Sequence, residues 1–314
     1  MQTNTLWQIV KETGRDWSKD NATRLSASLA YYTVLSIAPL LVLAVSVAGL
    51  VFGEEAARGQ IAAQLASVTG PEAGEGIQTL LKNAKSPDEG TIGSIVGIVV
   101  LLFGASGVFG ELTASLNEIW KVEPKPGLGV WGFLRTRFFS FSMVLGVAFL
   151  LLVSLVLSAL LAGIGTRFSS ALPGGAWLWE IVNFVVSLGV ITLLFALIFK
   201  YVPDVEIQWR DVWMGAGVTA LLFSLGKFAL GLYLGRASVA SPYGAAGSLI
   251  VLVIWVYYAS QILFMGAEFT QVYARHRGSR IEPSDHAVPI EVTKKVIDEN
   301  GEKKTTQVST PRTA

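Results

Sequence analysis

Three ionisable side chains lie within or at the edge of long apolar stretches, where a charge is costly unless it is paired or hydrated. They are Glu111, Lys227 and Glu268. Such residues can bind the polar part of a substrate in a cavity. Simpler explanations remain open, because Lys227 is about two turns from an interface that its ammonium group can reach. The glutamates can form structural ion pairs with Arg24 or Arg137.

Uncharged polar residues in the first and last apolar stretches form a second group of candidates, although tyrosines near membrane interfaces are common. Pro39 removes a backbone donor in the middle of the first stretch, which predicts a kink with either an architectural or a gating role. The candidate substrate-binding residues are Tyr31, Tyr32, Ser36, Pro39, Glu111, Lys227, Tyr257, Tyr258, Gln261 and Glu268.

Other kinds of chemistry lack the residues they need. The chain has no cysteine and only two histidines, His276 and His286, both beyond the last apolar stretch. Nucleotide-binding, serine-hydrolase and zinc-protease motifs are absent from the sequence. The net charge of +1 does not suggest nucleic-acid binding. We therefore expect no enzyme activity, no cofactor, no metal and no nucleic-acid partner.

The apolar stretches have the length of membrane-spanning helices. Hydrophobic residues make up 52% of the chain and charged residues only 15%, and a helix needs about 20 apolar residues to cross a bilayer. The sequence predicts an all-α membrane protein with six spans, at about 27–52, 91–111, 138–165, 178–200, 211–233 and 245–269. Glycines are frequent in the second and fifth spans, which favours close packing of helices.

Lysine and arginine are more frequent on one side of these spans. The richer flanks contain Lys11, Arg15, Lys19, Arg24, Lys121, Lys125, Arg135, Arg137, Lys200, Arg210, Arg275, Arg277 and Arg280. Because such residues stay on the cytoplasmic side, both termini are predicted to be cytoplasmic.

Three segments lie outside the spans. Residues 1–24 contain Leu6, Val10 and Trp17 close to one helical stripe, which predicts a helix in the cytoplasmic interface or, equally, an extension of the first span. The external loop 53–90 carries apolar residues at helical spacing and predicts two short amphipathic helices. Residues 276–314, beyond the membrane domain 25–275, are predicted to form a disordered cytoplasmic tail.

Two stretches resemble the YihY/BrkB family of bacterial inner-membrane proteins: SASLAYYTVLSIAPLL at 26–41 and WVYYASQILFMGAEF at 255–269. The SPYGAAGS segment at 241–248 and the six-span layout with a long first external loop also resemble it. The resemblance covers about residues 10–275. It implies a multi-pass protein of the bacterial inner membrane with poorly established activity, and members have been connected with serum resistance, ribonuclease activity and lipid movement.

Three functions are compared on these grounds. The leading hypothesis is a transporter or flippase-like protein for a lipid or another amphiphile, whose headgroup follows a groove between spans one, two, five and six near Glu111, Lys227, Gln261 and Glu268. A scaffold for envelope proteins is the alternative. A ribonuclease is the least favoured, because the carboxylates do not suggest a metal clamp. Membrane lipids are expected partners, and a homo-oligomer is compatible with the small-residue faces.

Overall fold

The computed structural model describes residues 3–69, 71–83, 91–126, 175–237, 247–290, 293–297 and 303–307. The helices are α1 (Thr3–Lys19), α2 (Ala22–Phe52), α3 (Glu54–Thr69), α4 (Pro71–Asn83), α5 (Thr91–Trp120), α6 (Gly175–Tyr201), α7 (Trp209–Ala237) and α8 (Gly247–Arg277). The strands are β1 (Val122–Pro124), β2 (Val205–Glu206), β3 (Glu282–Pro283), β4 (Ala287–Pro289), β5 (Thr293–Ile297) and β6 (Lys303–Gln307).

Long apolar helices occupy five of the six predicted spans, namely α2, α5, α6, α7 and α8. The predicted span 138–165 lies outside the described residues. Within those residues, four helices are long and apolar enough to cross a membrane, at Ala22–Ser46, Glu180–Tyr201, Trp209–Tyr233 and Gly247–Arg277. The protein is therefore a mostly helical, multi-pass membrane protein.

The helices pack in the order α6, α7, α8, α2, α5, with an additional contact between α5 and α8. The main core lies between them and includes Leu116, Trp120, Phe199, Ala220 and Phe264, all buried. Helix α8 contacts α1, α2, α4, α5 and α7. It is the central helix of the described bundle.

Helices α3 and α4 confirm the two short helices expected in the loop 53–90. Gly53 ends α2 with φ 82°, and its N–H donates to the carbonyl of Gly49 at 2.9 Å, so the chain can turn directly into α3. Ile77 of α4 is buried with Leu41 of α2 and Val251 of α8. The two short helices thus cover one end of the bundle, which we call the opposite face.

The other end of the bundle, which we call the termini face, comprises α1, the C-terminal ends of α5, α6 and α8, and the strands β1 to β4. Here the tail departs from the prediction. Residues 282–289 are not disordered: β4 pairs antiparallel with β1, and β3 pairs antiparallel with β2. A further hairpin joins β5 to β6. Strands of two or three residues give almost no sequence periodicity, which is why the tail pattern resembled disorder.

Candidate functional site

The α7–α8 contact sets the register of the candidate residues on these two helices. The side chain of Thr270 fills the space in front of Gly215, and the side chain of Thr219 fills the space in front of Gly266. Each threonine hydroxyl donates to the carbonyl of the glycine on its own helix, Thr219 to Gly215 at 2.7 Å and Thr270 to Gly266 at 2.6 Å. Two Gly-x-x-x-Thr motifs therefore interlock, as small residues do between membrane helices.

Farther along the same contact, Tyr258 lies over Gly226, with its ring and hydroxyl where a side chain at that position would be. Lys227 is the next residue, and it points about 100° around the helix from Gly226. Its side chain is exposed, and the apolar side chains of Leu225 and Phe228, two residues before it and one residue after it, are exposed as well. The structure thus brings the candidates Lys227 and Tyr258 to the same level of the bundle, on its apolar outer surface.

Two other candidates, Ser36 and Pro39, lie at the contact between α2 and α5. Ser36 is buried, and its hydroxyl oxygen would be 3.3 Å from a β-carbon at Gly107. Pro39 lies even closer to Gly104, where a β-carbon would be 2.8 Å from the proline ring. Helix α2 remains one helix through Pro39. The glycines of α5 allow this approach, so these residues contribute to helix packing here.

Tyr31 and Tyr32 lie at the exposed edge of the same helix. Their rings are 5.7 Å apart in an edge-to-face arrangement, and both side chains are exposed. Tyr257, Gln261 and Glu111 are partly buried. The predicted role of these residues in substrate binding remains a prediction.

Glu268 lies at the termini face and is completely buried, with 0% of its surface exposed. Neither of its carboxylate oxygens accepts a hydrogen bond from a donor in the described residues. The charged groups that act on it are Asp20, Lys121 and Asp16, from the end of α1 and the end of α5. A carboxyl group without a donor in such a place is costly to bury.

Ion pairs surround Glu268 without neutralising it directly. Lys121 lies 2.6 Å from Asp20, and both side chains are largely buried. Asp16 pairs with Arg275 and, at 3.7 Å, with Lys19. The basic neighbours of Glu268 are therefore engaged mainly with aspartates.

The expected ion pair between Arg24 and one of the candidate glutamates is wrong. This arginine pairs with Glu118 at 3.1 Å, because it begins α2 on the side of α5 where that glutamate lies. Arg137 lies outside the described residues. Glu268 is also ten residues beyond Tyr258 along α8, a rise of about 15 Å. Lys227, at the level of Tyr258, and Glu268 thus lie in separate places and do not share one site.

Two polar groups at the termini face, the Asn117–Asp204 pair and Asp211, were not predicted from the sequence. Asn117 is buried and bonds Asp204 twice at 2.8 Å, through its amide nitrogen to the carboxylate and through its oxygen to the backbone N–H. Asp211 is buried in the first turn of α7, and neither carboxylate oxygen has a hydrogen-bond partner among the residues that the structure describes. The sequence did offer one signal for Asp211, because an acidic residue at the start of a helix is typical of the first helical turn. No group of three metal-ligating side chains occurs in the described residues.

Comparison with known sequences decides the family. The profile described as virulence factor BrkB matches residues 13–291. The chain belongs to the virulence factor BrkB family. This confirms the resemblance carried by residues 26–41 and 255–269, both of which lie inside the match.

Relatives of this family member are named as membrane proteins. It is 30% identical over 271 residues to a UPF0761 membrane protein of Verminephrobacter eiseniae, covering 84% of this chain and 62% of that protein. It is 31% identical to one of Tolumonas auensis, covering 80% of each chain. A Pseudomonas aeruginosa relative is 27% identical, with 79% of this chain and 58% of that one covered. The matched region is thus less than two thirds of two of these three proteins. No solved structure matches the chain.

Proposed function

We propose that this protein is a flippase-like transporter that moves a lipid or another amphiphile with an anionic headgroup across the bacterial cytoplasmic membrane. The observation that supports this is the position of Lys227. Its side chain is exposed on α7, near the exposed apolar side chains of Leu225 and Phe228, and it follows Gly226, over which Tyr258 lies. A lipid headgroup is the natural partner for a cation on a surface that faces hydrocarbon.

The chemistry of this surface determines which substrates would bind. An ammonium group in hydrocarbon gains most from a phosphate or carboxylate, because the charge-assisted hydrogen bond replaces lost hydration. Leu225 and Phe228, within two residues of the lysine along α7, are 67% and 69% exposed, so this stretch of the helix offers an apolar surface to acyl chains. A headgroup would contact Lys227 and the seam at Tyr258 while its tails stay in the bilayer.

The orientation follows from the distribution of charge. Basic residues described at the termini face are Lys11, Arg15, Lys19, Arg24, Lys121, Lys125, Lys200, Arg210, Arg275, Arg277 and Arg280, whereas those described toward the opposite face are Arg58, Lys82 and Arg236. The positive-inside rule therefore supports cytoplasmic termini and six spans in total. The sequence carries no nucleotide-binding motif, so transport would depend on a gradient or a partner protein.

Reconstitution tests this proposal. The purified full chain is placed in phosphatidylcholine vesicles that contain fluorescent phosphatidylglycerol in the inner leaflet, and its arrival in the outer leaflet is measured with a membrane-impermeant quencher. We expect faster transfer than in protein-free vesicles, a large loss with Lys227→Gln, and retention of activity with Lys227→Arg. The matched control is Lys82→Gln, which removes an exposed lysine from α4 and should leave transfer unchanged.

Other outcomes would reject the proposal. Transfer rates equal to those of empty vesicles, for phosphatidylglycerol and for a panel of other labelled amphiphiles, would leave the scaffold hypothesis as the better one. Equal loss of transfer in the Lys227→Gln and Lys82→Gln variants would show that Lys227 has no specific role in lipid transfer. Degradation of RNA by the purified chain would instead favour the ribonuclease hypothesis.

A further inference from the structure

Helix α1 crosses α8 instead of running beside it. Ile9 is buried against Val272 and Tyr273 of α8, and Asp20, eleven residues later, acts on Glu268. Between these two contacts, Glu12 bonds His276 and Asp16 bonds Arg275. The partners on α8 therefore stay within about 12 Å, between Glu268 and His276, and do not advance steadily along that helix as residues 9–20 cover about 16 Å. Since α8 is a membrane-spanning helix, α1 must lie closer to the plane of the bilayer than to its normal.

The connection between α1 and α2 shows that α1 is a separate helix. Helix α1 ends at Lys19, and Asn21 has φ 52° in the left-handed region before α2 begins at Ala22. Asparagine is one of the few residues besides glycine that adopt this conformation readily. The alternative that α1 merely extends the first span is thus wrong. The two-residue turn also places the end of α1 directly at the start of a membrane-spanning helix.

The apolar side of α1 is only partly covered. Ile9 and Thr13 are buried, whereas Leu6, Val10 and Trp7 are 49%, 56% and 70% exposed. At 100° per residue these three side chains occupy one continuous stripe adjacent to the face that contacts α8. Lys11 and Arg15 are exposed beyond the Trp7 edge of this stripe.

We propose that the stripe formed by Leu6, Trp7 and Val10 is a membrane-docking surface that inserts into the headgroup region of the adjacent, cytoplasmic leaflet. Three observations select a lipid surface as its occupant: α1 lies across a membrane-spanning helix, it is joined to the start of another, and it carries a tryptophan. Tryptophan prefers the headgroup level. Lys11 and Arg15 would contact anionic lipid phosphates at the edge of the stripe.

This inference rests on membrane insertion of the chain and is independent of transport. Its test uses the absence of cysteine from the sequence. Single cysteines replace Val10 and Gln8 in turn, and each is labelled with a nitroxide after reconstitution of the full chain into vesicles of phosphatidylcholine and phosphatidylglycerol. Gln8 is the matched control, because it is exposed on the polar side of the same turn. The accessibility of each label to oxygen and to a water-soluble nickel complex is then measured.

We expect the label at position 10 to be several times more accessible to oxygen than to nickel, and the label at position 8 to show the reverse. Both substituted side chains are exposed, so the fold does not depend on them. Free access of nickel to both labels would overturn the proposal. Protection of position 10 from both reagents would also overturn it, because a protein partner or a second copy would then cover the stripe.

Discussion

The side chain of Thr270 lies where a β-carbon at Gly215 would have to be placed, and Thr219 stands in the same relation to Gly266. Both threonines are fully buried. A β-branched side chain in a helix has few alternative rotamers, and each hydroxyl here is already bonded to its own helix. The α7–α8 contact therefore has little freedom to accommodate extra atoms.

Replacing Gly215 with alanine should destabilise the protein by ~2 kcal/mol, because α7 and α8 must separate to admit one methyl group. Thermal unfolding of the detergent-solubilised protein measures this effect. Gly217 lies in the same helix, and a β-carbon there would meet nothing within 4 Å. Gly217→Ala should thus keep or raise the melting temperature.

A double variant sharpens this prediction. Thr270→Ala removes two of the three atoms that Gly215→Ala would meet, the hydroxyl oxygen and the methyl carbon, and leaves the β-carbon. The double variant should therefore lose less stability than the two single variants together. Strict additivity of the two effects would show that the contact is not as close as described.

Replacing Lys121 with methionine should cost about 3 kcal/mol, because Asp20 would be left beside Glu268 with its partner removed. The pair is largely buried, with a distance of 2.6 Å. Unfolding by heat or by a denaturing detergent reports the loss. Arg24→Met is the comparison, since its pair with Glu118 is exposed, and removal of such a pair costs less than about 1 kcal/mol. Similar losses for both variants would contradict the special position of Lys121.

Two truncations separate the ordered part of the tail from the rest. Ending the chain after Ile290 retains β3 and β4, whereas ending it after Gly278 removes both. We expect the shorter chain to melt lower, on the order of 5 °C, because it loses strand pairing and the burial of Ala287. The longer chain should melt like the intact protein. Equal melting temperatures for both truncations would mean that the strands contribute little to stability.

The sequence was sufficient to predict those parts of the fold that depend on one long periodic segment. The helices α2, α5, α6, α7 and α8 are of this kind, because an apolar run of bilayer length has few other structures available. The short helices α3 and α4 were predicted from the helical spacing of their apolar residues. Residues 26–41 and 255–269 also carried enough pattern to identify the family. The apolar composition of the membrane-spanning segments therefore strongly limits their secondary structure.

The surroundings of Glu268 could not be predicted in this way. Its neighbours Asp20 and Lys121 come from elements roughly 250 and 150 residues away, and which charges meet depends on how three helix ends are arranged. The pairing of β1 with β4 likewise joins residues 122–124 to residues 287–289. Such contacts between distant, very short segments leave no periodic trace in the sequence.

The strands at the termini face have a mechanical consequence for the whole bundle. They tie the end of α5 to the segment after α8, and Asn117 bonds the turn between α6 and α7. At the opposite face, α3 and α4 contact the bundle through apolar side chains such as Ile77. A tilt of one helix against another would thus have its fulcrum at the termini face. The ends of the long helices at the opposite face would then undergo the largest displacement.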